Sequence, residues 1–188
     1  MTTLETNRLL LHPIEKKDAP ALTAVFGDPE VMRFGNGVQT ATWVRAWIAW
    51  VRQGYDEKGY DPLAVVEKES GDLIGYCGLF YFDDINGNPE VELGYRLARS
   101  AWGQGYATEA GTAVRDHAFN TLKIKRLISL IDPANQASIT VALKLGMAHT
   151  ADVMLEGYTH PDNVFTVSGC QEVNSDALTS RHSKDNKP

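Results

Sequence analysis

The sequence predicts an α+β fold, a mixed and mostly antiparallel twisted sheet of about seven strands flanked by about four helices. Three observations carry this. Between residues 63 and 97, three apolar or alternating segments succeed one another with only turn residues between them, the pattern of an antiparallel meander. Ahead of the meander, two stretches repeat apolar residues at helical spacing. Behind it, a strand, a glycine turn, a helix and another strand follow in order.

The first strand is residues 8–12, leucines held between Arg8 and His12. The helix after it can be capped by Asp18 and sets Ala21, Leu22, Val25 and Phe26 on one face. A second helix begins near Thr40 and carries Trp43, Trp47 and Trp50. This stripe reads as core-facing, with a ligand-stacking wall as the alternative. Gly54 and Gly59 end that helix. The meander uses residues 63–67, 73–82 and 91–97, turning at residues 70–72 and 84–89. A third helix starts around Gly105, aligns Ala107, Ala110, Val114 and Ala118, and leads into a strand at residues 126–131. Residues 135–145 form a short fourth helix that Gly146 stops, and residues 147–155 and 163–168 supply a closing hairpin.

A chain of 188 residues supports one sizeable core rather than two, and residues 1–170 read as that single domain. Residues 171–188 hold few aliphatic side chains and read as a disordered tail. The balance of 18 Lys and Arg against 24 Asp and Glu gives a net charge of −6. A broad basic surface for nucleic acid is thereby excluded, and a cationic partner such as an amine is favoured. Two cysteines, Cys77 and Cys170, are too few for a disulfide framework and read as reduced thiols. No run approaches the ~18 apolar residues of a membrane span, so the expected location is the cytoplasm. The five histidines make no metal-binding pair at helical spacing, so no metal is expected. Oligomeric state stays open, a homodimer included.

The densest chemistry lies in residues 91–110, where a strand runs into Trp102, Gly103, Gln104, Gly105, Tyr106 and Ala107 and then into a helix. Glycines at 103 and 105 permit a tight turn that points successive N–H groups at an anion, and the helix dipole adds to the attraction. A glycine turn serving only strand–helix packing is the equal alternative. The stretch is neither a P-loop nor Gly-x-Gly-x-x-Gly, since Thr108 stands where the third glycine would be.

These residues give the chain a resemblance to the GNAT acetyltransferases, and within them to the RimJ/RimL-like ribosomal-protein N-terminal acetyltransferases. Gly105-Tyr106-Ala107 fit the end of the family's acyl-CoA loop, with Trp102 where the leading Gln or Arg is usual, a replacement typical of this branch. The companion motif appears as Asn135-Gln136-Ala137-Ser138 followed by Lys144-Leu145-Gly146-Met147, and Thr6-Asn7-Arg8-Leu9-Leu10-Leu11 resembles the branch's first strand. The resemblance spans about residues 6–169 and implies a sheet that parts into a V between the strands at 91–97 and 126–131, with acetyl-CoA as cosubstrate in the opening. It implies that Gly103 and the amides of Gln104, Gly105, Tyr106, Ala107 and Thr108 hold the pyrophosphate. Leu97 and Ala98 would pair with the pantetheine arm as an added strand, and Asn135 would bind the arm's other side. Capping of the fourth helix suits Asn135 equally.

Acetyl transfer needs a neutral amine, a polarised thioester and a proton for the thiolate. Many members of the family supply that proton from a tyrosine, whose place here is taken by Ala142, so Ser138 becomes the substitute. Glu92 is the first candidate base, acting through water, with Glu90 on the same face; the alternative for Glu92 is a solvated or ion-paired strand residue. Glu156 is the second candidate. An α-amine with a pKa of about 8 is substantially neutral at physiological pH, whereas a lysine amine near about 10.4 is not. The leading expectation is thus acetylation of a protein or peptide N-terminal α-amine. A small-molecule amine acceptor, or a non-catalytic acyl-CoA-binding module, are the alternatives.

Overall fold

The computed structural model describes residues 2–169, so the readings for Cys170 and the tail lie outside the described residues. The strands are β1 (Leu4–Glu5), β2 (Leu9–Pro13), β3 (Leu63–Glu67), β4 (Leu73–Ile85), β5 (Asn88–Leu97), β6 (Arg126–Ile131), β7 (Ala148–Val153) and β8 (Asp162–Ser168). The helices are α1 (Ala19–Gly27), α2 (Ala41–Lys58), α3 (Tyr106–Asn120) and α4 (Gln136–Lys144). All eight strands join one sheet in the order β1-β2-β3-β4-β5-β6-β8-β7. Every neighbouring pair is antiparallel except β5 and β6, which run parallel because the crossover between them contains α3. The sequence expectation of about seven strands omits only the two-residue β1, which pairs with the start of β2.

Two local expectations fail. The three tryptophans of α2 do not form its core stripe: Trp43 and Trp50 are 40% and 50% exposed, while Val44, Ile48, Val51 and Tyr55 are buried. Both sets repeat at helical spacing and differ by a rotation of one residue, so periodicity alone does not choose between them. The set of Val44, Ile48, Val51 and Tyr55 fills the interior. Trp47 is left at the margin against Phe26 and Tyr76, with ring centroids 5.0 and 5.1 Å away. Gly54 does not end α2, which runs to Lys58 and is closed by Gly59 in the left-handed conformation. Instead, Gly54 admits the buried carboxylate of Asp61, which a Cβ would meet at 1.8 Å. Asp18 does occupy the N-cap of α1, but its carboxylate accepts from the Glu15 N–H at 2.7 Å rather than from the helix.

The site is positioned by the way β5 leaves β6. Their single registered pair is Glu92 with Ile128, and beyond it the strands diverge. Alternation along β5 places Glu92, Gly94 and Arg96 on the face shared with Tyr76 and Phe80 of β4, and Leu93, Tyr95 and Leu97 on the face shared with Cys77 and Leu79. Phe26 of α1 stacks on Tyr76 with centroids 5.5 Å apart, while α3 packs across β4 and β5.

Gly75 lets β4 follow β5 along this region. Its φ is +149°, and a Cβ there would meet the Arg96 carbonyl oxygen at 2.1 Å and the Leu97 Cα at 2.8 Å, both backbone atoms that cannot swing aside. Gly71 also has a positive φ, +76°, but nothing lies within 4 Å of its Cβ direction. Gly75→Ala is therefore expected to lower unfolding free energy by about 3 kcal/mol, from overpacking plus dihedral strain. Gly71→Ala costs only the strain of about 1 kcal/mol. Denaturant midpoints at constant m-value check the difference.

Candidate active site

A cleft of about 560 Å³ opens where β5 and β6 part, within the size range of small-molecule sites. One wall is the end of β5 with Tyr95 and Leu97, another is the turn 102–108, and a third is the start of α4 with Asn135 and Ser138. Lys144, at the end of α4, and Arg33, from the segment after α1, bring positive charge to its rim.

The glycine turn has the geometry that its sequence predicts. Gly103 and Gly105 take φ of +74° and +82°, and α3 begins directly after Gly105. No side chain caps that helix, so the first-turn N–H groups of Tyr106, Ala107 and Thr108 have neither an intrahelical nor a capping partner. Orphan amides at the positive end of a 15-residue helix make a site for an anion. Gly103, Gly105, Tyr106, Ala107 and Thr108 all line the cleft. Gln104 does not: its backbone carbonyl accepts from Arg8 Nη1 at 2.9 Å and its side-chain Nε2 donates to the Ser100 carbonyl at 2.9 Å.

That bond belongs to a brace invisible in the motif itself. The Glu109 carboxylate accepts from Arg8 Nε at 2.7 Å, from the Arg8 N–H at 2.9 Å and from the Thr6 hydroxyl at 2.6 Å. Burial alone would raise the Glu109 pKa, but these donors together hold it below the ordinary range. The Arg8 guanidinium lies 4.3 Å from the Tyr106 ring centroid, and the Tyr106 hydroxyl donates to Glu67. The first strand thus fixes the turn from behind.

Along β5 the backbone groups alternate. Ala98 donates its N–H to the Ile74 carbonyl at 2.7 Å and so faces β4 rather than the cleft. The sequence reading paired Ala98 with a ligand, but that N–H is already spent on the sheet. By the antiparallel pattern, Leu97 and Tyr95 turn their backbone groups toward the opening. The Leu97 carbonyl already accepts the Trp102 indole N–H at 2.9 Å.

Asn135 caps α4, its side-chain oxygen accepting from the Ser138 N–H at 3.2 Å. Ser138 Oγ in turn accepts from the Tyr95 hydroxyl at 3.1 Å, joining the two walls. Tyr95 was not among the residues singled out from sequence, although its alternation with Leu93 and Leu97 carries the signal. Glu92 pairs with Ile128 where the strands begin to part, on the sheet face opposite Tyr95 and outside the cleft lining, and its carboxylate accepts from the Leu130 N–H at 3.2 Å. Desolvation pushes its pKa up to about 7, helped by the charge of Asp162 and opposed by the Leu130 N–H and Arg96. Glu90 pairs instead with Arg126 at 3.3 Å. Glu156 is exposed on the loop between β7 and β8, away from the cleft lining.

The chain matches the Acetyltransferase (GNAT) domain family over residues 8–148. It is 37% identical over 155 residues to YkkB of Bacillus subtilis strain 168, an uncharacterized protein, covering 81% of this chain and 88% of the relative. An acetyltransferase structure from Agrobacterium tumefaciens strain C58 superposes with a TM-score of 0.76 at 29% identity, covering 89% of this chain and 94% of the other. RimL, a ribosomal L7/L12 α-N-protein acetyltransferase solved in complex with coenzyme A, shares the fold with a TM-score of 0.75 at 18% identity, covering 89% and 98%.

The raised pKa of Glu92 fixes the sign of a pH effect on stability. The folded chain holds the Glu92 proton more tightly than the unfolded chain, whose carboxyl titrates near 4.5, so the site loses stability as pH rises from about 4.5 to about 7. Glu92→Gln keeps an oxygen for the Leu130 N–H and removes the buried charge. Its melting temperature is expected to match that of the parent chain near pH 4.5 and to exceed it at pH 8. Scanning calorimetry at both pH values checks this.

Proposed function

The chain belongs to the GNAT acetyltransferases and is an acyltransferase enzyme, and we propose that its acceptor is the N-terminal α-amine of a protein or peptide, as in the RimJ/RimL-like branch that its motifs resemble. The observation that carries acetyl-CoA as cosubstrate is the continuity of two features in one cleft. An uncapped helix N-terminus lies at one end and an unpaired strand edge at the other, which suit the pyrophosphate and the amide-bearing arm of CoA. The fit is good: glycines 103 and 105 leave the amides of Tyr106, Ala107 and Thr108 accessible, and Lys144 adds a cation near the same rim. RimL, which shares the fold, carries CoA and acetylates an α-amine, and this supports the same assignment here.

The acetyl thioester is supplied by the bound cosubstrate. The amine nitrogen attacks the acetyl carbon, a C–N bond forms, the C–S bond breaks and its electron pair leaves on sulfur. Glu92, through water, takes the proton that the amine releases; a pKa of about 7 keeps it largely ionised at pH 7.4 while still basic enough to act. Ser138 hydrogen-bonds the departing thiolate. The net charge of −6 favours cationic acceptors over nucleic acid. Cys77 is buried and free, and no helix among the described residues is long and apolar enough to cross a membrane.

Incubation with acetyl-CoA and a panel of peptides and small amines, followed by thiol release and product mass, tests the reading. Peptides with a free small N-terminal residue are expected to outpace the same peptides blocked at the N-terminus but bearing lysine. Activity confined to small amines would move the acceptor assignment to that class. The rate is expected to climb with pH between about 6 and 8 as Glu92 and the α-amine lose their protons, and then level off. Gly105→Glu puts a side chain at φ +82° and a negative charge at the helix N-terminus, and is expected to weaken CoA binding at least about a hundredfold by calorimetry.

A further inference from the structure

The hydroxyl pair at the mouth of the cleft goes beyond the proposed reaction and rests on it. Serine and threonine in a helix interior commonly donate to the carbonyl four residues back, as Thr23 does to Ala19, Thr112 to Thr108 and Thr140 to Gln136 at 2.7 to 2.8 Å. Ser138, in the first turn of α4, has no helical carbonyl four residues back to take its proton. Its N–H is held by Asn135, its oxygen accepts from Tyr95, and its own hydrogen has no protein partner among the described residues. A largely buried tyrosine hydroxyl needs an acceptor, and Ser138 is the partner Tyr95 has. With one lone pair taken by Tyr95 and the backbone fixed by Asn135, the Ser138 O–H is left to point into the cleft that both residues line.

We propose that Tyr95 is a positioning residue for acetyl transfer, locking the Ser138 hydroxyl so that it donates to the thioester sulfur as the C–S bond breaks. The pair replaces, from β5 and α4 together, the single tyrosine whose place Ala142 takes. Tyr95 keeps its proton throughout. Burial raises its pKa to about 12, whereas a thiol titrates near about 8.5, so a full proton transfer from phenol to thiolate runs uphill by several pKa units. The thiolate leaves as a hydrogen-bonded anion, and the amine proton goes to Glu92. Tyr95 contributes by orienting and polarising Ser138.

Single-turnover acetyl transfer is compared for the parent chain, Tyr95→Phe, Ser138→Ala and the double variant, with CoA affinity by calorimetry and melting temperature measured alongside. Ser138→Ala is expected to slow transfer by about 10²-fold or more, in the range for a lost catalytic donor. Tyr95→Phe, one step removed, is expected to cost roughly tenfold or more while CoA affinity stays within about twofold, and the double variant is expected to be no slower than Ser138→Ala, as for residues acting as a unit. A Tyr95→Phe rate equal to the parent's, or losses that multiply in the double variant, overturns the inference. Cys77→Ala, opposite Tyr95 across the strands, loosens the same packing while leaving both hydroxyls. An equal loss of rate there would assign the effect to packing and also overturn it. If the parent chain itself transfers no acetyl group to any amine, the acetyl-transfer reading fails instead.

Discussion

One registered residue pair organises the functional half of the molecule. Where Glu92 meets Ile128 the parallel strands β5 and β6 touch, and immediately afterwards they separate, leaving backbone groups that a continuous sheet would have satisfied. Two side chains repair the break at its apex. The Ser129 hydroxyl donates to the Leu93 carbonyl at 2.7 Å, and the Glu92 carboxylate accepts from the Leu130 N–H at 3.2 Å. Each strand thus sends a side chain across to the other's stranded backbone. Farther along, neither strand reaches the other, the Leu97 carbonyl takes the Trp102 indole N–H instead, and the cleft occupies the space.

This arrangement ties the chemistry of Glu92 to the architecture. A carboxylate placed to satisfy a backbone amide inside a sheet is also desolvated, and desolvation carries its pKa to about 7, where a base is most useful near neutral pH. The structural role and the proposed role as base draw on the same burial. Binding geometry shows a parallel economy. No side chain caps the start of α3, so the rigidity of the glycine turn comes from elsewhere, from the Arg8–Glu109 pair, the Gln104 carbonyl and the Tyr106–Glu67 contact. Since Arg8 adjoins β2 and Glu109 lies in α3, this brace joins the start of the chain to its middle.

Much of this was legible from residue order. Strands at Leu63–Glu67 and Arg126–Ile131 fall where alternation and apolar runs place them, α3 begins after Gly105, and Asn135 caps α4. The same local logic misled for α2, where two stripes one residue apart share a period and only the packing partner distinguishes them. It also misled for Ala98. A residue at the end of a strand reads as an edge, yet which way its N–H points depends on a hydrogen-bond phase set by β4.

What the sequence determined by itself is whatever depends on neighbours within a few positions: helix starts and stops, glycines that accept positive φ, and the paired motifs that mark the family. Tertiary structure alone decided the rest, because those features join residues far apart in the chain. Tyr95 meets Ser138 across 43 positions, Thr6 meets Glu109 across 103, and the raised pKa of Glu92 arises from burial that no window of sequence contains. Hydrogen-bond geometry and desolvation act through space, so they became readable only once the sheet had brought those residues together.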